Sequence, residues 1–293
     1  MSMLLKNLTL DFMPLADPLR VAIQGVGASF HNLAAKKFFS TRNIEVVQCS
    51  SFPLLCKCLR DYGTDIAIMA IENTIAGSIL PNYSLLETNQ FKIMGELYLR
   101  IEMSLMVLPG QKMEDIRFVQ SHPMALLQCQ EFLLNYPEIK MIEGPDTAQS
   151  ALELRKKNLV GHAAIANRLA AETYGLEILK ENIETNQQNY TRFLVLCRSE
   201  DYLPDKASNK ASLRFEVPDH PGTLVQVLSI FHQYSVNMTK LQSVVIPERP
   251  GQYSFHVDVE WKNTALYEEA LSLVQKKALN FIHFGAYSRG EGL

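Results

Sequence analysis

The chain has no excess of positive charge, and this lack excludes a first class of functions. Its 28 Lys and Arg residues are outnumbered by 31 Asp and Glu residues, so the formal net charge is -3. Proteins that bind a phosphate backbone need a basic surface, and we therefore expect no nucleic-acid partner. The length of 293 residues, 47% of them hydrophobic and 20% charged, is typical of a soluble globular protein with room for two domains.

Cysteines are few, and their spacing matches neither a metal site nor a disulfide framework. The chain has five, which is an odd number, and only one residue separates Cys56 from Cys58. This pattern predicts reduced thiols in a cytoplasmic protein and no metal site.

Long apolar runs are missing from the beginning of the chain. Asn7, Asp11, Pro14 and Asp17 interrupt this stretch before a hydrophobic segment of useful length develops. We therefore expect neither a signal peptide nor a membrane span.

Strand-like and helix-like patterns alternate through the longer, N-terminal part of the chain. RVAIQG, DIAIMAIE and ELYLRIEMSLMVL predict strands, the last of them long, whereas FHNLAAKKFFS and ALLQCQEFLLNY predict helices. Gly175 is a predicted helix C-cap. Such alternation predicts an α/β domain of mostly parallel strands over residues 19–198.

The composition changes once, at residues 199–210, which are charged, contain Pro204 and have no apolar period. This stretch predicts a linker. Residues 211–289 then follow the order strand, helix, strand, strand, helix, strand. That order predicts a small second domain with the ferredoxin-like βαββαβ arrangement.

Polar residues cluster where predicted strands end and helices begin, and each cluster has two interpretations. The side chains could cap helices or stabilise turns, or they could bind a ligand. The clusters are QGVGASFH with Ser29, AIENTIAGS with Glu72, Asn73, Thr74 and Ser78, VQSHP with Ser121 and His122, EGPDTAQSA with Asp146 and Thr147, and NYTRF with Thr191 and Arg192. Together they offer hydroxyls, amides, backbone N–H groups and one arginine, which suits a small carboxylated anion.

Several of these motifs resemble one known family. AIENTIAGS, SHPMALLQC, DTAQSA, AAIANRLAAETYGL and NYTRFLV, in this order, resemble the prephenate dehydratases, and the stretch around DHPGTL resembles their ACT domain. The resemblance implies a two-lobed catalytic domain similar to type II periplasmic binding proteins, followed by a ferredoxin-like ACT domain. Since few residues precede the first predicted strand, we expect a monofunctional enzyme without a chorismate mutase domain.

The resemblance also implies roles for particular residues. Thr191 is similar to the family's catalytic threonine, Arg192 to its arginine for the substrate carboxylate, and Phe193 to the apolar residue that packs beneath them. The implied substrate-binding residues are Ser29, Glu72, Asn73, Thr74, Ser78, Ser121, His122 and Thr147. The expected reaction converts prephenate to phenylpyruvate in L-phenylalanine biosynthesis, without a metal or organic cofactor.

The chain departs from the family pattern in its first loop, where His31 occupies a position usually taken by serine, and in the ACT domain. The implied phenylalanine site lies at the interface of two ACT domains and contains Pro221, Gly222, Thr223, Leu224, Gln242 and Ser243. Val244 and Val245 stand where the family usually has arginine and proline. We therefore expect phenylalanine to bind more weakly than it would to an intact motif.

Two alternatives to prephenate dehydratase activity remain open. Arogenate differs from prephenate by an amine in place of the keto group, and a non-catalytic amino-acid sensor could keep the cleft and the ACT domain. Because ACT domains commonly pair, we also expect a homodimer or homotetramer.

Overall fold

The computed structural model describes residues 17–246 and 249–290. Contacts along the chain divide it into two compact units. One, here called the C-terminal unit, contains Leu80–Glu96 and the described part of Leu194–Glu291. The other, here called the N-terminal unit, contains the described part of Leu15–Ile79 together with Leu97–Phe193. Most of the stretch to which the signal-peptide expectation applies lies outside the described residues.

Strands and helices alternate along most of the described chain. The strands are β1 (Leu19–Gln24), β2 (Ile44–Cys49), β3 (Ile66–Asn73), β4 (Gly77–Ser78), β5 (Lys92–Arg100), β6 (Ser104–Val107), β7 (Phe118–Ser121), β8 (Lys140–Glu143), β9 (His162–Ala166), β10 (Glu177–Lys180), β11 (Tyr190–Cys197), β12 (Lys210–Glu216), β13 (Asn237–Val245), β14 (Tyr253–Glu260) and β15 (Leu279–Tyr287). The helices are α1 (Phe30–Phe38), α2 (Phe52–Arg60), α3 (Leu80–Asn89), α4 (Pro123–Gln128), α5 (Gln130–Leu133), α6 (Thr147–Lys156), α7 (Arg168–Tyr174), α8 (Thr223–Gln233) and α9 (Thr264–Lys277).

The first sheet has the strand order β2-β1-β3-β11-β5, and β4 pairs with β3. β1 runs parallel to both β2 and β3. The apolar run of β3 from Ile66 to Ile71 is buried, as expected for a strand that is covered on both faces. β5 and β11 each continue along the chain from one unit into the other.

The second sheet, with the order β10-β6-β9-β7-β8, lies in the N-terminal unit. β7 is parallel to β8 and β9, whereas β6 is antiparallel to β9 and β10. α6 begins after the Asp146 cap, and α7 ends at Gly175 with φ of 62°. Gly175 therefore forms the predicted left-handed C-cap, which glycine adopts without steric cost.

The third sheet lies in the C-terminal unit and has the antiparallel order β13-β14-β12-β15. With α8 after its first strand and α9 after its third, it forms the predicted βαββαβ arrangement. Apolar residues of α8, α9, β12 and β14 form a single core, which includes Leu213, Phe231 and Val274.

Polar side chains of the same unit bind the segment Leu80–Glu96. Arg214 on β12 pairs with Glu87 at 3.0 Å, and Lys210 pairs with Glu96 at 2.9 Å. The Lys210 and Glu96 side chains are almost completely buried. Breaking a buried pair leaves an uncompensated charge, which typically costs about 3–5 kcal/mol. These pairs therefore anchor the segment to the β12 strand.

Two predicted elements are interrupted in the structure. The expected long strand over ELYLRIEMSLMVL is two strands, because after β5 the Ile101 N–H donates to the carbonyl of Asn189 and β6 begins only at Ser104. The expected helix over ALLQCQEFLLNY is α4 and α5, which meet at the buried Cys129. No helix of the described chain is long and apolar enough to cross a membrane.

Candidate active site

A pocket of about 340 Å³ opens in the N-terminal unit where β1, β3 and β11 face the first residues of several helices. Strand ends in α/β proteins commonly carry ligand sites of this kind. Much of the wall is apolar. The lining residues are Gln24, Phe30, His31, Phe52, Ala70, Asn73, Ala76, Ile79, Ile101, Met103, His122, Met124, Ala125, Gln128, Pro145, Asp146, Thr147, Thr191 and Phe193.

The three residues predicted to be catalytic, Thr191, Arg192 and Phe193, lie on β11 and point to both faces of this strand. Thr191 and Phe193 line the pocket, whereas Arg192 between them does not. Successive side chains of a strand point to opposite faces, which explains this separation. Arg192 is 3% exposed, and its Nη1 lies 3.1 Å from Oε1 of Glu72. Arg192 thus does not line the pocket, and its expected contact with a substrate carboxylate stays a prediction.

Asn73 holds the Thr191 hydroxyl in a defined orientation. Its Oδ1 accepts hydrogen bonds from the N–H groups of Ile75 and Ala76, both at 2.9 Å. The amide nitrogen must therefore face the other way, and Nδ2 donates to Oγ1 of Thr191 at 3.0 Å. In the described part of the chain the Thr191 proton has no acceptor, so it is available to a ligand in the pocket.

Two amides that sequence reasoning missed extend this network. Nδ2 of Asn73 also donates to Oδ1 of Asn189 at 2.7 Å, and Nδ2 of Asn189 donates to Oε1 of Gln128 at 2.8 Å. Asn189 is fully buried, and Gln128 lines the pocket. Asn189 directly precedes the Tyr-Thr-Arg-Phe stretch, and this adjacency was the only signal for its role.

The remaining predicted residues of the AIENTIAGS loop do not line the pocket. Thr74 is exposed, and its hydroxyl donates to the carbonyl of Gln188 at 3.0 Å. Glu72 pairs with Arg192, and Ser78 pairs with Glu72 in the β3–β4 ladder. These three residues shape the loop around Asn73.

Of four further predicted residues, two line the pocket and two do not. Ser29 caps α1 by accepting a hydrogen bond from the N–H of Asn32, and Ser121 donates to the carbonyl of Ile165 at 2.6 Å. His122 lines the pocket while its Nδ1 accepts the N–H of Met124. Thr147 lines the pocket, is 6% exposed, and has an Oγ1 without a hydrogen-bond partner among the described residues.

His31 is a pocket residue that the sequence indicated only as a departure from the family pattern. Its ring packs edge-on against Phe193, with centroids 5.0 Å apart, and its Nε2 accepts the N–H of Ala70 at 3.4 Å. Burial lowers the pKa of His31 to about 3. The imidazole is therefore neutral at physiological pH, and the proton is on Nδ1.

The sequence model of a protein family, described as prephenate dehydratase, matches residues 21–201 of this chain, which is more than half of its length. The chain belongs to the prephenate dehydratase family. Arogenate dehydratase/prephenate dehydratase 1 of Arabidopsis thaliana is 36% identical over 254 residues, a match that covers 85% of this chain. The match spans 64% of that relative's length, a little under two thirds.

Solved structures of similar proteins have the same fold as this prephenate dehydratase family member. A prephenate dehydratase from Arthrobacter aurescens in complex with L-Phe superposes with a TM-score of 0.83 at 26% identity, covering 92% of this chain and 90% of that chain. A quorum-quenching acylase, GqqA, also gives 0.83, at 28% identity with 92% and 98% coverage. The predicted α/β fold, similar to periplasmic binding proteins, is thereby confirmed.

The C-terminal unit of this family member has a separate pocket of about 220 Å³. Gly222, Thr223 and Leu224 line it, as the implied effector site requires. Pro221 is exposed beside it but does not line it, and neither do Gln242 and Ser243 on β13. The structure therefore brings together only half of the six predicted effector residues.

Proposed function

We propose that this protein is a hydro-lyase that converts prephenate to phenylpyruvate, carbon dioxide and water in L-phenylalanine biosynthesis. The observation that carries the proposal is the Thr191 hydroxyl, whose oxygen accepts a hydrogen bond from Asn73 at 3.0 Å and whose residue lines a largely apolar pocket. Family membership supports the same reaction.

The reaction needs a hydrogen-bond donor to the leaving oxygen and does not need a strong base. The C–C bond to the ring carboxylate breaks, its electron pair enters the ring, and the C–O bond at C4 breaks as the ring becomes aromatic. Thr191 donates a hydrogen bond to the departing oxygen, which leaves as hydroxide and is protonated to water. A hydrogen bond that strengthens as charge develops lowers the barrier.

The pocket suits a carboxylate that must be lost. Within the described residues no Lys or Arg lines it, so the leaving carboxylate meets Phe30, Phe52 and Phe193 rather than a cation. The N-terminal ends of α1 and α6 supply partial positive charge for the carboxylate that stays. This asymmetry favours loss of carbon dioxide from one end of the substrate.

Arg192 acts, in this proposal, as a positioning residue rather than a catalytic one. Its pair with Glu72 links β11 to the end of β3, next to the strand positions that carry Thr191 and Asn73. The ion pair thereby fixes the distance between the donor amide and the catalytic hydroxyl. Phe193 supplies part of the apolar wall.

We propose that residues 19–198 form the catalytic domain, 199–210 the linker, and 211–289 an ACT domain that binds phenylalanine as an effector. Gly222, Thr223 and Leu224 support the effector site, since they line a pocket at the start of α8. The L-Phe complex of the Arthrobacter aurescens relative supports the choice of ligand.

A homodimer or homotetramer is proposed from the exposed edge of the third sheet. β13 is an edge strand, and its alternate residues Leu241 and Val245 are 45% and 54% exposed. Exposed apolar edge strands readily pair with another chain.

A cytoplasmic location is proposed from the thiols. All five cysteines are free, and burial raises the pKa of Cys129 and of Cys197 to about 12, which keeps them protonated and unreactive.

An assay of purified protein with prephenate tests the activity. We expect phenylpyruvate absorbance to rise with release of one carbon dioxide per turnover, and Thr191→Ala to abolish most of the signal. Saturable prephenate binding without product would instead identify a sensor, and would contradict the proposed reaction.

A further inference from the structure

A second pocket of about 390 Å³ adjoins the first one in the N-terminal unit. The two share Gln24, Pro145 and Asp146, and the second is otherwise lined by Gly25, Val26, Gln48, Cys49, Ser50 and Gln149. Thr191 and Phe193 line only the first pocket. A ligand whose ring lies against Thr191 can therefore direct its side chain towards the wall that both pockets share.

Asp146 is the only carboxylate that lines either pocket in the described chain. Its Oδ1 accepts the N–H of Gln149 at 3.0 Å and thereby caps α6. Its Oδ2 has no hydrogen-bond partner among the described residues, and it lies 3.5 Å from where a Cβ on Gly25 would stand. One carboxylate oxygen is thus committed to the helix, and the other is available to a ligand.

Thr147, the next residue, offers the complementary group. Its side chain is only 6% exposed and lines the first pocket. Its Oγ1 has no hydrogen-bond partner among the described residues and lies at the N-terminal end of the ten-residue helix α6. A hydroxyl and a helix N-terminus favour a carboxylate, whereas the adjacent Asp146 favours a cation. The pair matches the ammonium and carboxylate groups of an α-amino acid.

Charge distinguishes the two candidate substrates at this wall. Prephenate presents a keto group and two carboxylates, whereas arogenate presents an ammonium group in place of the ketone. In a pocket without a lining Lys or Arg, Asp146 repels the dianion and attracts the ammonium. A charge-assisted hydrogen bond changes affinity by about 10- to 100-fold.

We propose that Asp146 is a specificity-determining residue that binds the ammonium group of the substrate, so that the enzyme prefers arogenate to prephenate. The inference rests on the proposed function, because the same pocket and the same Thr191 donor serve both substrates: the enzyme converts prephenate, and it converts arogenate with the higher kcat/KM.

Asp146→Asn tests the inference without removing the helix cap, because asparagine caps as well as aspartate. We expect kcat/KM for arogenate to fall by about 10- to 100-fold and kcat/KM for prephenate to rise by a few fold, since the repulsion is lost. Glu143→Gln is the matched control: Glu143 is an exposed β8 residue outside both pockets. It should change both values less than twofold.

Equal changes for both substrates in Asp146→Asn, or no change for arogenate, would overturn the inference and leave the dehydratase reaction intact. If wild-type protein turns over neither substrate, the proposed function fails instead. Calorimetry with arogenate and prephenate on wild type and Asp146→Asn still decides the question then, because it needs no turnover. Selective loss of arogenate binding supports the role of Asp146, and its retention refutes it.

Discussion

At the scale of single residues, the orientation of Asn73 determines what Thr191 can do. Because the Thr191 oxygen already accepts a hydrogen bond from Asn73, its proton is available to a ligand, as the proposed reaction requires. We expect Thr191→Ala to lower kcat by roughly 10²- to 10⁴-fold, while Thr191→Ser keeps measurable activity. Steady-state kinetics, with thermal unfolding to verify the fold, measures both. Near-normal turnover in Thr191→Ala would remove Thr191 from the mechanism.

The Glu72–Arg192 pair should affect turnover more than substrate affinity. Glu72→Gln removes the negative charge that lies 3.1 Å from Nη1 of Arg192 and weakens this link between β3 and β11. We expect kcat to fall by about tenfold with KM nearly unchanged, since small misplacements of a catalytic group are costly. Glu200→Gln, whose carboxylate is exposed beside Arg198, is a control for the loss of charge. A rise in KM alone would restore the direct contact between Arg192 and the substrate.

Sequence patterns predicted some pocket residues and missed others for identifiable reasons. NYTRFLV is a strand pattern, and successive side chains of a strand point to opposite faces. The sequence alone could therefore have predicted that Arg192 lies on the face opposite to Thr191 and Phe193. Asn189 and Gln128 were not predictable, because their contact joins residues 61 positions apart. Asp146 was predicted as a cap, and the sequence offered no signal that its second oxygen would line a pocket.

At the scale of elements, the start of α8 is where the proposed effector site can be tested. Gly222 has φ of 86°, and no atom lies within 4 Å of a Cβ built there, so a larger side chain would project into open space. We expect calorimetry to detect phenylalanine binding to wild type and to Gly222→Ala, but not to Gly222→Trp. The alanine variant carries the same backbone strain and isolates the effect of bulk. Unaltered binding to the tryptophan variant would move the effector elsewhere.

The strands themselves were predicted better than their ends. β1, β3 and β11 carry buried β-branched and aliphatic runs, which specify strands locally. The two short strands β4 and β8 lack such a run: β4 has two residues, and β8 is largely exposed. Their pairing depends on neighbours that are distant in sequence, which is why a local pattern did not predict them.

At the scale of the whole molecule, two buried imidazoles, His31 and His256, and the half-buried imidazole of His283 should make the protein sensitive to acid. Burial lowers the pKa of His31 to about 3 and the pKa values of His256 and His283 to about 4. Between these values and the ordinary value near 6.5 the unfolded chain binds more protons than the native one, so stability falls as pH falls. Each of the two buried histidines, His31 and His256, should cost about 1.5 kcal/mol between pH 6.5 and pH 5.

Thermal unfolding from pH 7.5 to pH 4.5 measures this loss. His31→Gln should flatten the pH dependence, whereas the same change at the exposed His220 should not. A wild-type Tm that is constant over this range would contradict the neutral state of the three imidazoles.

The segment Leu80–Glu96 belongs to the C-terminal unit, although the chain before and after it belongs to the N-terminal unit. This arrangement limits how gene recombination can exchange one unit without the other. Since Lys210 pairs with the buried Glu96, and Arg214 pairs with Glu87, a gene that lost its 3′ portion would encode a protein in which both of these ion pairs are lost. Compensating substitutions at both positions would have to appear together. Homologues of this architecture should therefore seldom gain or lose the segment that corresponds to residues 194–291, and should exchange it mainly together with residues 80–96.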